Sequence, residues 1–521
     1  MRRRSLLAGA SAALASPAIA AKVQTLRFVP QAPLTSIDPV SNPSIATRNA
    51  GLMVFETLYG RDESMNPRPH MVQGDRVEDT GHRWTLTLRE HLLWHDVTPV
   101  LARDCVASLR RWMKRDPGGA TLETRIDALE APDDRRIVLR LNKPYPNLRA
   151  LLARFNTPAV MMPERIALTD PFKQIPEAIG CGPFRWLPDE QVIGSHAAFA
   201  RFDRYTPRNE PPSFTAGGHV AQLDRVEWRM APDAGTAAQA LIASKVDWLE
   251  VLLPDLISIL RRADGVSVGL LDNYGQMCAV RVNHLIAPTN NVGVRRAMLA
   301  AVDQRDVITA MLGDQVTWFA PIGFLDTGNR SVDEAGLEAV RNRPGKDEIK
   351  AMLDQAGYNN ERVVLLHPTD YKMFGLGGTA VCEALRAVGF NLDDQMMDWG
   401  SMMRRRTVRD PVDKGGWSLF PTAIPAAEYR DPLLATLIRA DGVKGFYGWP
   451  SDDQIEALYQ AWLATDDPTE QIRIEQDWQQ RAFDEVIHIP LGRFVLPSAW
   501  RNSVSGQVRG PAVVFWNVSK L

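Results

Sequence analysis

The sequence predicts an α/β protein of two or three domains, and three observations support this. Segments with the alternating apolar pattern of strands interleave with segments that have the apolar spacing of helices, without an internal repeat. The chain has 521 residues, more than a single hydrophobic core organises. Charged residues make up 23% of the chain, and beyond the first segment no apolar run approaches bilayer length, so we expect a soluble globular protein.

The N-terminus has the three parts of a secretory signal peptide, assigned to residues 1–20. Residues 2–4 are arginines, residues 6–15 are apolar, and residues 18–20 form a small-x-small cleavage site. Arg3 and Arg4 followed by Ser-Leu-Leu also resemble a twin-arginine signal, and the general secretory route stays open as an alternative. Ala10 stands where a lipoprotein signal would have cysteine, so no membrane anchor is expected.

We predict that the exported protein is cut after Ala20 and begins near Ala21. The physical basis is that signal peptidase reads small side chains at the −3 and −1 positions, which Ala18 and Ala20 supply. N-terminal sequencing of the periplasmic form measures this. An intact N-terminus on protein recovered from the cytoplasm would contradict it.

Periodicity assigns strands and helices in chain order. In residues 83–89 Trp84, Leu86 and Leu88 share one face, which is typical of a half-buried strand. The same criterion predicts strands at 23–28, 83–89, 136–142, 225–230, 246–249, 362–366, 486–491 and 512–518. Helical spacing predicts helices at 102–114, 236–245, 294–312, 347–356, 380–388, 451–464 and 469–485.

Charge and cysteine content exclude several functions. A formal net charge of −2 argues against a nucleic-acid or anionic-membrane surface. Four scattered cysteines, Cys105, Cys181, Cys278 and Cys382, form no CxxC motif, and either disulfides or buried thiols remain possible. The mature chain also has no HExxH, GxSxG, SxxK or phosphate-loop motif, so we expect no enzyme activity and no cofactor.

Five segments in order resemble a known family. They are VFETLYGRD at 54–62, the long run at 83–112, GCGPF at 180–184, NVGVRRAMLAAVD at 291–303 and HIPL at 488–491. Together they resemble the extracellular solute-binding protein family 5, the peptide-, oligopeptide- and nickel-binding receptors of ABC transporters. The resemblance covers nearly the whole mature chain. Val97 and Cys181 depart from the family pattern, which has Gly and Thr there.

The resemblance implies a two-lobed periplasmic binding protein fold of class II, large form, with an extra α+β subdomain. Lobe I would combine residues 22–63, 183–283 and 490–521, the small subdomain 64–182, and lobe II 284–489. It further implies a periplasmic monomer that closes around a small or peptide-like ligand and delivers it to permease subunits. Two alternatives are a secreted hydrolase with dispersed catalytic acids and a receptor that reports to a membrane sensor.

Two groups of residues are the candidate site. The Gly-x-Gly-Pro run predicts Gly180, Gly182 and Pro183 as hinge residues, with Asn283. Without the other motifs an ordinary turn would be the alternative. A short region dense in aromatic residues suggests a cleft wall, with core packing as the alternative. The ligand-binding candidates are Trp417, Ser418, Phe420, Tyr429, Trp449 and Tyr274.

The ligand itself is only partly constrained. Peptide-binding members carry an acid shortly after the tryptophan, and here no acid precedes Glu428. We therefore expect a ligand other than a dipeptide held by its amino group, unless the loop folds Glu428 back toward the cleft. His91 and His95 are expected on an extended segment and not as a metal pair. The basic triplet Arg404 to Arg406 is expected to be a solvated helix face.

Overall fold

Two β-sheets with helices packed around them dominate the computed structural model, which describes residues 23–430 and 432–521. The predicted signal peptide lies outside the described residues. The first sheet has seven strands and is mixed, with Thr25–Val29 parallel to both of its neighbours. Its strands, in spatial order, are Phe184–Trp186, His196–Arg201, Arg225–Arg229, Thr25–Val29, Trp248–Leu249, Ser498–Arg501 and Val266–Gly269.

The second sheet has six strands and is also mixed. Gln276–Val282 runs antiparallel between two long neighbours, and Val363–Pro368 pairs in parallel with Leu392–Met397. In spatial order the strands are Thr317–Phe319, His488–Val495, Gln276–Val282, Leu419–Pro425, Val363–Pro368 and Leu392–Met397. The two sheets form the two predicted α/β lobes.

A four-stranded antiparallel sheet forms the predicted small subdomain. Its strands, in spatial order, are Val72–Glu78, Arg83–Leu88, Arg136–Leu141 and Ile126–Glu130. Two-stranded pairs are Glu56–Thr57 with Val160–Met161, Tyr59–Arg61 with Pro67–Pro69, and Val504–Ser505 with Ser519–Lys520. The alternating pattern at 83–89 and 136–142 therefore correctly predicted two strands, which the structure shows to be neighbours in one sheet.

The helices pack around these sheets. They are Ile45–Val54, Ala102–Met113, Pro117–Glu123, Leu148–Leu152, Glu164–Ala167, Ala234–Ile242, Pro254–Arg261, Val292–Ala301, Gln304–Leu312, Arg330–Asp333, Glu338–Arg341, Lys346–Gln355, Lys372–Ala387, Trp399–Arg405, Asp453–Ala464 and Pro468–Glu485. The single helix predicted over 294–312 is wrong: two helices meet at Val302 and Asp303. The Asp303 side chain accepts the backbone N–H groups of Arg305 and Asp306, so it caps a new helix where periodicity alone shows no break.

The strand predicted at 512–518 is also wrong. This segment is almost wholly buried but forms no strand, and Asn517 has a left-handed φ of 64°. Trp516 donates from its indole Nε1 to the carbonyl of Phe214 at 3.1 Å. The apolar pattern of this segment therefore reflects burial of its side chains and not pairing of its backbone with a neighbouring strand.

The chain crosses between the two lobes in two short segments, here called passages, which differ from the segments expected from the sequence. Residues 276–282 and 488–495 both belong to the second sheet, so the chain passes between the lobes at 270–275 and again at 496–497. The expected boundaries were 283 and 490. The strand Gln276–Val282 therefore begins next to one passage, and the strand His488–Val495 ends next to the other.

A buried ion pair joins the small subdomain to the first lobe. Arg111, on the helix Ala102–Met113, donates from Nη2 and Nη1 to the two carboxylate oxygens of Asp38 at 2.7 and 3.1 Å. The two side chains are 2% and 1% exposed. All four cysteines are buried and unpaired. In the described part of the chain no helix is long and apolar enough to cross a membrane.

Candidate ligand site between the lobes

The first passage between the lobes lies against the end of the strand that leads into the second. Gly275 has a φ of +75°, and a Cβ placed on it would lie 2.0 Å from the carbonyl oxygen of Phe494. Only glycine lets the two backbones approach this closely. Residues 270–275 and 496–497 form the covalent connection between the two sheets.

Tyr274 lies in the first of these passages and contacts both lobes. Its hydroxyl donates to the carbonyl of Glu63 in the first lobe at 2.8 Å. Arg430 of the second lobe lies over its ring, with Cζ 5.2 Å from the centroid. Of the predicted ligand-binding residues, Tyr274 and Tyr429 lie at the end of the second sheet that adjoins the first lobe.

The other four predicted ligand-binding residues lie together elsewhere. Strand register pairs Gln276 with Pro425 and Val282 with Leu419, so residue 417 lies beyond the end of the sheet that is remote from the first lobe. The four residues in this group are Trp417, Ser418, Phe420 and Trp449. All are at most 2% exposed.

Within this remote group the contacts are internal to the second lobe. The Trp417 ring centroid is 4.9 Å from that of Phe420 and 5.7 Å from that of Trp449. The Ser418 hydroxyl accepts the backbone N–H of Val364 at 3.1 Å. This placement gives the group a packing role in the second lobe, and ligand contact by these residues stays a prediction.

The predicted hinge residues lie outside the two passages. Gly180, Gly182 and Pro183 join the subdomain to the first sheet: the backbone N–H of Gly182 donates to the carbonyl of Val54 at 2.9 Å, and a Cβ on Gly180 would lie 2.0 Å from that same oxygen. Asn283 lies at the remote end of the second sheet, where its side chain donates to the carbonyl of Trp417 at 2.9 Å. The glycines are thus required for close backbone packing in the first lobe.

Glu428 lies where the two lobes and the subdomain meet. It follows the strand Leu419–Pro425 in a short 3-10 turn, and its neighbour Ala427 packs in an apolar cluster with Phe155 of the subdomain and Phe214 of the first lobe. The Glu428 side chain is 5% exposed and its Oε1 has no hydrogen-bond partner among the described residues. The turn therefore places this acid beside the first lobe, at the opposite end of the second sheet from Trp417.

The electrostatic surroundings of Glu428 leave its charge only partly compensated. Burial raises the pKa of Glu428 to about 7, against the opposing effect of the guanidinium groups of Arg154 and Arg48. A hydrogen bond from Asn156 also favours the ionised form, and Asp116 disfavours it. A buried carboxyl with a pKa near 7 is a common property of binding and catalytic sites.

Arg48 is the buried cation of this junction. It lies on the helix Ile45–Val54, is 3% exposed, and donates to the side chains of Asn49 at 3.0 Å and Asn156 at 3.2 Å. Asn49 in turn donates to Glu250 at 2.9 Å. The charge of Arg48 has no carboxylate within ion-pair distance in the described parts of the chain, and burial lowers its pKa.

Sequence reasoning missed Arg48, Asn156, Glu250 and Asp272. One signal was present: Arg48 and Asn49 interrupt an otherwise largely apolar helix, and a buried arginine needs several acceptors to be tolerated there. Asp272 gave no such signal. It lies in the passage between the lobes, where burial raises its pKa and Arg48 and Arg493 oppose the rise.

In the part of the chain that the structure describes, two clusters have residue types that could hold a metal ion: Glu56 with His70 and His219, and His367 with Cys382 and Asp394. In the first, Glu56 already receives the Tyr205 hydroxyl at 2.6 Å and lies against both histidines. In the second, both ring nitrogens of His367 have partners, Asp394 at 2.7 Å and the Gly375 carbonyl at 2.8 Å. The second cluster lies within the second lobe. The first joins His70 of the subdomain to Glu56 and His219 of the first lobe, and His219 stacks on Trp516 with ring centroids 3.7 Å apart.

His91 and His95 do not converge. His91 lies in a turn with a φ of 62° and an 85% exposed side chain, whereas His95 is largely buried against Gly182. The strand ends at Leu88, so the expected extended segment is interrupted by this turn. Burial lowers the pKa of His95 to about 4.

We predict that the protein loses stability as the pH falls from about 6.5 to about 4. Burial lowers the pKa of His95, His219, His284 and His488, so all four are neutral in the folded protein. Below the ordinary histidine pKa the unfolded chain binds protons that the folded chain does not, and each group adds up to about 1.4 kcal/mol per pH unit. Urea unfolding at stepped pH measures this slope.

A matched pair of variants tests the assignment. His95→Gln removes one buried titrating group and should make the slope shallower, whereas His91→Gln changes an exposed ring and should leave it as it is. Equal slopes in both variants would contradict this assignment.

The architecture defines the class of the protein: a two-lobed α/β periplasmic binding protein, as the sequence predicted. Bacterial extracellular solute-binding proteins, family 5 Middle, match residues 66–438, and the chain belongs to this family. It is 33% identical over 491 residues to the probable peptide ABC transporter periplasmic-binding protein y4tO of Sinorhizobium fredii, covering 94% of this chain and 92% of that one.

Solved structures share the fold. The binding protein AgaA in complex with agropinic acid, from A. tumefaciens R10, has a TM-score of 0.77 at 20% identity, covering 95% of this chain and 99% of that one. The protein DppA of Helicobacter pylori in complex with the peptide STSA has a TM-score of 0.79 at 18% identity, covering 95% of this chain and 98% of that one.

Proposed function

We propose that this protein is the periplasmic receptor of an ABC transporter, and that it binds its solute at the junction around Glu428. The single observation that carries the site is that Oε1 of this buried carboxyl, at the meeting point of two lobes and a subdomain, has no hydrogen-bond partner in residues 23–430 and 432–521. An unsatisfied buried oxygen is costly, and a ligand donor group is the partner that would relieve it.

Binding is proposed to work by rotation of the lobes about residues 270–275 and 496–497. A ligand that touches Glu428 on the second lobe and Arg48 or Glu250 on the first gains contacts only when the lobes are closed. It thereby shifts the population toward the closed form, which the permease recognises. No step of this cycle changes the ligand chemically, so the proposed receptor acts without catalysis or cofactor. We also propose that it acts as a monomer.

The ligand is proposed to be a small peptide-like or other organic solute with a hydrogen-bond donor for Glu428. The similarity to the probable peptide-binding protein of Sinorhizobium fredii supports the peptide-like class, and the agropinic acid bound to AgaA supports the wider one. Tyr274 supplies a ring surface beside the passage between the lobes. Glu428 of the second lobe and Arg48 or Glu250 of the first would then fix the orientation of the ligand.

The test is the Glu428→Gln variant, which keeps the shape of the side chain and removes its charge. Ligand recovered from native periplasmic protein is identified by mass spectrometry and titrated by calorimetry. We expect binding about 30-fold weaker or more, because one charged hydrogen bond is typically worth about 2 kcal/mol. The control Glu470→Gln alters an exposed acid on the helix Pro468–Glu485 and should bind as the unaltered protein does.

A folded Glu428→Gln protein with unchanged affinity would show that the ligand lies elsewhere. The same series includes Trp417→Ala, so the alternative position at the remote end of the second sheet is measured in parallel.

A further inference from the structure

A buried carboxylate and two buried histidines meet where the subdomain packs on the first lobe. Glu56 is 5% exposed, His70 is 0% exposed and His219 is 2% exposed. Oε1 of Glu56 lies 3.1 Å from Nδ1 of His219, and Oε2 lies against Nε2 of His70. The three residues each offer one ligand atom, and these atoms all lie within 4.8 Å of one another. The fold thus brings them together although 163 residues separate Glu56 from His219.

The hydrogen bonding of His70 is incomplete. Neither of its ring nitrogens has a hydrogen-bond partner in the described residues, and the contact of Nε2 with Glu56 lacks hydrogen-bond geometry. Buried polar atoms without a partner are rare and destabilising, so a group that binds them is expected. The backbone of His70 is held on both sides, because its N–H donates to the carbonyl of Leu58 at 3.0 Å and its carbonyl accepts from Nε of Arg89 at 2.9 Å.

The donor set suits one class of cation. Two imidazole nitrogens and a carboxylate oxygen are ligands that Zn²⁺ takes in proteins, whereas Ca²⁺ and Mg²⁺ take oxygen ligands. The Tyr205 hydroxyl donates to Oε1 of Glu56 at 2.6 Å, which is the outer hydrogen bond that orients a metal-binding carboxylate. The His219 ring stacks on those of His70 and Trp516, with centroids 4.2 and 3.7 Å away. Ligands of a tetrahedral zinc lie about 3.3 Å apart, so shifts of about 1 Å in these side chains admit the ion.

From this geometry we propose that Glu56, His70 and His219 bind a structural zinc ion that joins the subdomain to the first lobe. The ion supplies the partner that His70 lacks. The second cluster offers no such opening, because both ring nitrogens of His367 already have partners. The zinc ion takes no part in solute binding at Glu428, so the proposal stands apart from the proposed function.

The experiment uses the full mature protein, stripped of metal with a chelator, and zinc alone as the probe. Calorimetry should give about one equivalent of zinc bound per chain. Zinc at about a hundredfold above Kd should raise the melting temperature by about 3 °C or more. Calcium at the same concentration should leave the melting temperature unchanged. Cobalt in place of zinc should give the visible absorption of a site with nitrogen and oxygen ligands, which reports coordination directly.

Two matched variants locate the ion. His70→Gln should weaken zinc binding at least about tenfold, because even the outer partners of metal ligands are worth that much. His367→Gln alters the other cluster and should bind zinc as the unaltered protein does. Circular dichroism checks that both variants fold. If His70→Gln does not fold, Glu56→Gln takes its place, and the cobalt absorption of the unaltered protein still tests the site.

Four outcomes would overturn the proposal. They are no zinc uptake by the unaltered protein, no rise of its melting temperature with zinc, an equal rise with calcium, and equal zinc affinity in His70→Gln. Loss of zinc binding in His367→Gln alone would assign the ion to the second cluster and reject this one. The effect of Glu428→Gln on solute binding is measured separately, so failure here leaves the proposed function intact.

Discussion

Arg111→Met should lower the free energy of unfolding by about 3–5 kcal/mol. The substitution keeps the volume of the side-chain stem but removes both hydrogen bonds to Asp38, whose carboxylate is 1% exposed. An ionised carboxylate left buried without its partner is strongly unfavourable, and Asp38 anchors the loop before the helix Ile45–Val54 to the subdomain. Urea unfolding followed by circular dichroism measures the change.

Arg165→Met is the control, because Arg165 pairs with Asp96 at 3.1 Å on the surface of the same subdomain, with its own side chain 51% exposed. Exposed pairs contribute at most about 1 kcal/mol. Equal urea midpoints for the two variants would show that the buried Arg111–Asp38 pair contributes no more to stability than the exposed Arg165–Asp96 pair does, which would contradict the prediction.

Trp417→Ala should lower the free energy of unfolding by about 3–5 kcal/mol, the range for truncating a buried tryptophan. The ring is 0% exposed and contacts Phe420 and Trp449, so its loss leaves a cavity at the end of the second sheet. The Trp417→Phe variant retains most of the packing. Because the indole Nε1 has no partner among the described residues, this variant should lose much less of the free energy of unfolding than Trp417→Ala does.

The same variant tests the ligand contact predicted from the sequence. A cavity far from the junction should leave the affinity of folded Trp417→Ala protein unchanged. A stable variant that binds its ligand tenfold more weakly would instead support the predicted contact and shift the site to the remote end of the second sheet.

The fold was predictable because its signals are local or belong to the family. Alternation in 83–89 and 136–142 located two adjacent strands, and the helix 102–114 was placed to within a residue of Ala102–Met113. The break at Val302 was missed because a capping aspartate leaves the apolar spacing on either side undisturbed. The segment 512–518 was wrongly predicted as a strand because apolar content indicates that side chains are buried, but not that the backbone pairs with a neighbouring strand.

The site was harder to predict because it is assembled from distant parts of the chain. Arg48, Asn156, Glu250 and Glu428 are separated by roughly a hundred residues or more at each step, and no periodicity links them. An aromatic cluster was a visible signal, but the aromatic residues at 417, 420 and 449 pack among themselves. The sequence identified Glu428 only as an alternative acid for binding a ligand amine, because the direction of its side chain depends on the conformation of the turn that carries it.

The position of the strand Ser498–Arg501 affects the order in which the chain can fold. It lies inside the first sheet, between Trp248–Leu249 and Val266–Gly269, and not at an edge. The lobe that is synthesised first therefore lacks the second strand from one edge of its sheet until residues 498–501 have left the ribosome, and Lys520 contacts this sheet through its ammonium, 2.8 Å from Asp247. A nascent chain of this topology cannot complete its first sheet before the whole second sheet, residues 276–495, has been synthesised.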